Sequence, residues 1–102
     1  MKTKNIVTGA LSIFLLYSTN VFAGDPFLGA NVYNEHCVRC HGANGTGIIA
    51  GTPDFLQPSF LAKPDFELKA FISAGKGIMP SYQGILKERE IMDVIAYIRT
   101  FN

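Results

Sequence analysis

The sequence predicts an all-α domain. Three stretches carry apolar residues at helical spacing, segments rich in Gly and Pro separate them, and nothing alternates with the period of two that a half-buried strand requires. A chain of 102 residues has room for one such domain.

The first 23 residues stand apart from it. Lys2 and Lys4 precede a mostly apolar run from Ile6 to Tyr17, and Val21-Phe22-Ala23 puts small residues at the two positions a signal peptidase reads. This is the form of a secretory signal peptide over 1–23, cut after Ala23. The other reading, an uncleaved N-terminal anchor, has to accommodate a run broken by Thr8, Ser12 and Ser18-Thr19-Asn20 and short for a bilayer crossing. Cleavage leaves a domain over 24–102 with seven basic and eight acidic side chains. The basic balance of the whole chain therefore belongs to the leader, and a nucleic-acid partner loses its electrostatic support.

The first helix is expected over Pro26 to Arg39, with Asp25 as N-cap and Pro26 at the first helical position, where a missing N–H costs nothing. Phe27, Ala30 and Tyr33 or Asn34 would track one face, and Gly29, four residues before Tyr33, would leave a notch beside an aromatic ring. From Gly42 to Leu61 there are four Gly and two Pro, so an irregular loop is expected. A loop of that length in so small a domain implies that it wraps something.

The second helix should start at Pro64 or Asp65, put Leu68, Phe71 and Ile72 on one side, and stop at Gly75. The third should occupy Glu88 to Phe101, with Ile91, Val94, Ile95, Ile98 and Phe101 forming one stripe that Tyr97 borders. Lys87 stands where Ser, Thr or Asp would cap that helix, three residues before Glu90.

A core this small needs a staple. The only two cysteines, Cys37 and Cys40, are three residues apart, and a disulfide closing so small a loop removes little entropy from the unfolded chain. The run Cys37-Val38-Arg39-Cys40-His41 supplies a different staple. In C-x-x-C-H the two thiols lie about one helical turn apart on the same side, so both can add to the vinyl groups of a haem while the following imidazole meets the iron. A thioredoxin-like C-x-x-C would need a βαβ context. A zinc site would have to gather His36, Cys37, Cys40 and His41 from six consecutive residues, where structural zinc sites draw pairs from separate segments. The stretch Gly45-Thr46-Gly47-Ile48-Ile49-Ala50 matches a dinucleotide fingerprint in letters, but no strand precedes it.

For the second axial position the side chains available are Met79, Met92, His36, the lysines, or none. His36 directly precedes a tethered cysteine and reaches the opposite face poorly, and Met92 sits beside the apolar stripe of the third helix, where core packing accounts for it. Met79 lies in Gly75-Lys76-Gly77-Ile78-Met79-Pro80-Ser81-Tyr82, where glycines permit close approach and Pro80 stiffens the chain just after it. Its competing role is that of a loop methionine covering apolar surface.

Taken in order, Gly29 and Tyr33, Cys37-Val38-Arg39-Cys40-His41-Gly42, Gly77-Ile78-Met79-Pro80 and the Ile95-Ala96-Tyr97-Ile98 helix make the domain resemble a class I monohaem cytochrome c over essentially its whole length. The ending MPSYQGILKEREIMDVIAYIRTF and the short length are most similar to small bacterial periplasmic cytochromes associated with dissimilatory nitrite reduction. The resemblance implies three main helices wrapped around one covalently attached haem c, held by Cys37 and Cys40, with His41 and Met79 as axial ligands. It further implies that Gly29 and Tyr33 pack against the Tyr97 face, and that the carbonyl of Pro53 accepts a hydrogen bond from the His41 imidazole, orienting the ligand.

Ligation by both His and Met leaves no open position on the iron, which implies a non-enzymatic electron carrier. The expected carrier is a periplasmic monomer, without stable membrane insertion once the leader is cut, that shuttles electrons between redox proteins such as a periplasmic reductase and a quinol-oxidising complex or another cytochrome. The docking rim would lie around Cys37, Val38 and the Lys76–Met79 segment, with Lys63, Lys69, Lys76 and Lys87 as the available positive charges. The alternative is a haem-bearing accessory or maturation factor for a periplasmic reductase.

Overall fold

The computed structural model describes residue 9 and residues 24–102. Apart from residue 9, the leader expected over 1–23 lies outside the described residues. Five helical segments follow in order: α1 (Pro26–His36), α2 (Val38–His41), α3 (Pro58–Leu61), α4 (Asp65–Ala74) and α5 (Glu88–Ile98). Among the described residues no strand forms, and the architecture is the all-α one expected.

The start of α1 is built as its sequence dictates. The Asp25 carboxylate accepts from the Phe27 N–H at 2.8 Å, and Pro26 occupies the first turn. The far end differs from the expected single helix to Arg39. α1 stops at His36, Cys37 opens to φ −117°, and α2 follows as a separate turn. Hydrogen bonding bridges the break, because the Cys37 N–H still donates to the Tyr33 carbonyl at 2.9 Å and the His41 N–H to the Cys37 carbonyl at 3.0 Å.

The inward face of α1 is Gly29, Val32 and Tyr33. Phe27, expected on that face, is 81% exposed. The reason is Gly29: the closest approach to α5 runs through it, and residues 29, 32 and 33 share that side. α1 packs across α5, and α4 packs on α5 as well. The core gathers Val32, Tyr33, Phe55, Leu68, Tyr82, Leu86 and the α5 stripe Ile91, Val94, Ile95 and Ile98.

α5 ends at Ile98, not at Phe101. Arg99 caps it, the Thr100 N–H turns back to the Tyr97 carbonyl at 2.9 Å, and Phe101 leaves the helix axis. Phe101 then sits 5.2 Å from Tyr33 and 5.1 Å from Tyr97, and with the Tyr33–Tyr97 pair at 5.4 Å the three rings close an edge-on triangle. The expected contact between Tyr33 and the Tyr97 face is present. At the other end of α5, Glu90 accepts from the Lys87 N–H at 3.0 Å. This is half a capping box, because an ammonium cannot accept the return bond.

The segment 42–61 is irregular except for the short α3 turn. Two backbone bonds back to α2 pin its first part. The Gly47 N–H donates to the His41 carbonyl and the Ile48 N–H to the Cys40 carbonyl, each at 2.9 Å. Gly45 adopts φ +74°, and a side chain there would press into the rings of Phe101 and Phe55.

Candidate functional site

The loop 42–61, the junction of α1 and α2, α4, and the 76–82 segment enclose a cleft of about 520 Å³. Its lining is largely apolar, and its volume lies inside the ~300–1,000 Å³ range of small-molecule and cofactor sites. Cys37, Cys40, His41, Pro53 and Met79 all line it, as do His36, Phe55, Phe71 and Ile72. Met92 does not, and packs instead as a partly buried side chain against the core.

Each side chain reaches the cleft for a local reason. The backbone opens at Cys37, between α1 and α2, and Cys37, Cys40 and His41 all line the cleft. The Tyr33 hydroxyl donates to the Gly42 carbonyl at 2.6 Å in a buried bond, fastening the residue after His41 to α1. Burial pushes the Tyr33 phenol up to about 12, with the Cys37 and Tyr97 groups adding to the effect.

Met79, which lines the same cleft, is held by a tight turn. Its N–H donates to the Lys76 carbonyl at 3.1 Å, and its carbonyl accepts from the Lys76 N–H at 3.0 Å. The chain just after the turn is tied to two elements: the Tyr82 N–H donates to the Ile72 carbonyl in α4 at 3.2 Å, and the Tyr82 hydroxyl donates to the His36 carbonyl at 2.9 Å.

The electrostatics suit an uncharged, water-poor cleft. Burial, with Cys40 beside it, pushes the Cys37 thiol up to about 11, so a free thiolate is disfavoured there, whereas a thioether has no proton to lose. Burial also lowers the His41 pKa, favouring the neutral imidazole that can ligate a metal. His41 Nδ1 is buried without a hydrogen-bond partner. Pro53 lines the same cleft, but no hydrogen bond joins its carbonyl to His41.

Among the described residues no group of three or more His, Cys, Asp or Glu side chains is placed to hold a metal ion, so the zinc arrangement of His36, Cys37, Cys40 and His41 is not formed. The residues present do fit a haem: two free cysteine sulfurs, an imidazole kept neutral by burial with one orphaned nitrogen, and a thioether line one largely apolar cleft.

Sequence reasoning missed the Phe55 ring, which stacks on His41 with centroids 4.6 Å apart and planes 19° from parallel. A local signal precedes it. Asp54 accepts from the Leu56 N–H at 2.9 Å, an Asx turn of the kind a Pro-Asp pair announces, and that turn aims Phe55 inward. Of the four lysines in 24–102, Lys63 pairs with Glu67 and Lys69 with Glu88, while Lys76 lies on the cleft.

A helical domain wrapped around an apolar cleft lined by a C-x-x-C-H run is that of a single-haem c-type cytochrome, and the comparisons with known proteins agree. The family profile described as "Cytochrome C oxidase, cbb3-type, subunit III" matches residues 25–98. Cytochrome c6 of Chlorolobion braunii is 36% identical over 72% of this chain and 88% of its own length. Cytochrome c6 of Limnospira maxima is 34% identical over 74% of this chain and 91% of its own. The solved structure of cytochrome c6 from the diatom Phaeodactylum tricornutum superposes with a TM-score of 0.63 at 27% identity, covering 74% of this chain and 91% of that one.

The chain belongs to the class I c-type cytochrome family. It carries a covalently attached haem c and is an electron carrier. No helix among the described residues is long and apolar enough to cross a membrane.

Proposed function

We propose that the domain over 24–102, released by cleavage of the leader 1–23, is a periplasmic shuttle of single electrons, with its haem tethered through Cys37 and Cys40 and ligated by His41 and Met79. One observation carries this reading: both cysteines, His41 and Met79 line a single apolar cleft, while Met92, the other methionine weighed for the site, packs elsewhere. When bound, the haem supplies one-electron redox chemistry at iron, and a thioether ligand favours the ferrous state relative to a second imidazole.

The chain's own residues do the rest. Cys37 and Cys40 fix the group to one wall. His41, kept neutral by burial, presents a nitrogen, and Pro53 lines the same cleft, where its carbonyl would be the acceptor for Nδ1 once the group is bound. Met79, clamped in the Lys76–Met79 turn, would hold the iron through its thioether and keep small ligands from it. Apolar walls exclude water, so little solvent has to reorganise when the charge changes.

The partners proposed are redox proteins: a periplasmic reductase, of the kind that reduces nitrite, as acceptor, and a quinol-oxidising complex or another cytochrome as donor. Ile78, 83% exposed, and Lys76 lie at the cleft and form a small apolar rim with one positive charge, suited to an encounter that must dissociate after each transfer. The test is expression of the full chain alongside a haem-attachment apparatus, with intact mass and absorption spectra of the exported product. A mass equal to residues 24–102 plus one haem, with a low-spin spectrum in both redox states, is expected. The bare polypeptide mass, or a retained leader, would overturn the corresponding part. Rapid oxidation of the reduced protein by a purified nitrite reductase would establish that partner, and a stable complex without transfer would indicate the accessory role.

A further inference from the structure

We propose that Phe55 is a positioning residue for His41, setting the plane in which the imidazole faces the cleft. The inference rests on the reading of His41 as an axial ligand. The two rings are 4.6 Å apart and within 19° of parallel, so the phenyl lies stacked against one face of the imidazole. A histidine ring turns about a broad, two-fold torsion. Something has to hold it at one angle, and no polar contact does, because Nδ1 is buried without a partner. A bond to the Pro53 carbonyl, where it forms, would direct one atom, whereas the stack acts on the entire ring.

Phe55 is well built for the task, being itself immobile. It is 5% exposed. Its N–H donates to the Gly45 carbonyl at 2.9 Å. Phe60 packs on it at 4.6 Å, and Phe101 lies nearly parallel to it at 6.4 Å and 10°. The left-handed glycine at position 45 belongs to the same assembly, since any side chain there would displace both Phe55 and Phe101. His41 is therefore the end member of an aromatic stack whose other rings are fixed by the loop and by the chain beyond α5.

The plane of an axial imidazole sets the directions in which unpaired spin of a ferric haem spreads over the porphyrin. Proton NMR of the oxidised, haem-loaded protein reads that plane through the hyperfine shifts of the haem methyls, which mere loss of stability would leave in place. In Phe55→Leu, which keeps the apolar contact but not the flat ring, the methyl resonances should change their order or spread. In Phe55→Tyr, which keeps the ring, they should retain the wild-type pattern. Should Phe55→Leu not accumulate, Phe60→Leu carries the test by loosening the ring packed on Phe55, with a smaller change of the same kind expected. Unaltered methyl shifts in a haem-loaded Phe55→Leu, or in Phe60→Leu where that is the variant read, would overturn the assignment. A wild-type chain that gains no haem mass would overturn it together with the reading of His41, and the two failures are told apart by the mass alone.

Discussion

Gly29 in α1 lies against the backbone of Asp93 in α5 with no room for a side chain between them. A Cβ at Gly29 would overlap the Asp93 carbonyl and crowd the Val94 nitrogen. Asp93 is itself 4% exposed, and its Oδ1 accepts from the Asp25 N–H at 2.7 Å, so the same residue seats both the notch of α1 and the cap that starts it.

Gly29→Ala sets two effects against each other. Alanine gains about 1 kcal/mol of helix propensity over glycine. The overlap is with backbone, which cannot rotate away, and overpacking of that kind costs ~1–3 kcal/mol. The overlap should win, lowering the urea midpoint of the haem-loaded protein with an unchanged slope. A raised midpoint would show that α1 and α5 separate without cost.

Tyr33 couples the helix crossing to the haem-binding turn through its bond to the Gly42 carbonyl. Tyr33→Phe removes the shorter of two bonds to that carbonyl, the Gly45 N–H still donating to it at 3.3 Å, at a cost of ~0.5–1.5 kcal/mol near neutral pH. The phenol also predicts a pH dependence. Its folded pKa, about 12, lies above the ~10 of an exposed tyrosine, so the fold favours the neutral form. The associated stability is complete below about pH 10 and is lost as pH rises through 10 to 12. Denaturation midpoints taken at pH 8 and pH 11 should fall more steeply for the wild type than for Tyr33→Phe. Parallel falls would refute the assignment of that loss to Tyr33.

Arg99, just beyond α5, holds the segment before α4 by three bonds: to Asp65 Oδ1 at 2.7 Å, to the Leu61 carbonyl at 3.2 Å and to the Lys63 carbonyl at 2.5 Å. The ion pair is partly solvated, so its share is modest, and the carbonyl bonds add to it. Arg99→Ala should cost about 1 kcal/mol overall, with its main effect local. Amide hydrogen exchange should quicken over 63–68 and stay near wild type in α1. Uniform loss of protection would mean that the clamp serves the whole fold.

The parts legible in the sequence were those governed by local rules. Asp25 and Pro26 announced the start of α1, Gly75 the end of α4, and the Ile91–Ile98 stripe the buried face of α5. The adjacency of Cys37, Cys40 and His41 is fixed by covalent spacing and needs no tertiary information. What escaped depends on contacts far along the chain. Phe27 has helical spacing with Ala30, yet faces solvent because Gly29 decides which side meets α5. Phe101 continues the α5 period, yet leaves the helix to pack on Tyr33, a residue of α1. Phe55 could not be placed against His41, since the loop between them has no period. Its Asx turn at Asp54 says only that the chain bends, not what it bends toward.

Met79 and Met92 offer the sharpest separation of site from scaffold. Met79 lines the cleft in a turn pinned by two reciprocal backbone bonds, whereas Met92 packs against the core from α5. Met79→Ala removes a proposed iron ligand without touching the covalent tether, so the haem should remain attached while the midpoint potential falls and carbon monoxide or cyanide binds readily. Met92→Ala removes a partly buried thioether side chain and should cost ~1–2 kcal/mol of stability, below the fully buried range, with potential and ligand binding unchanged. Redox titration and ligand binding on the two purified variants check this directly. If opening of the iron follows Met92→Ala and not Met79→Ala, the axial assignment fails even though the cysteine tether stands.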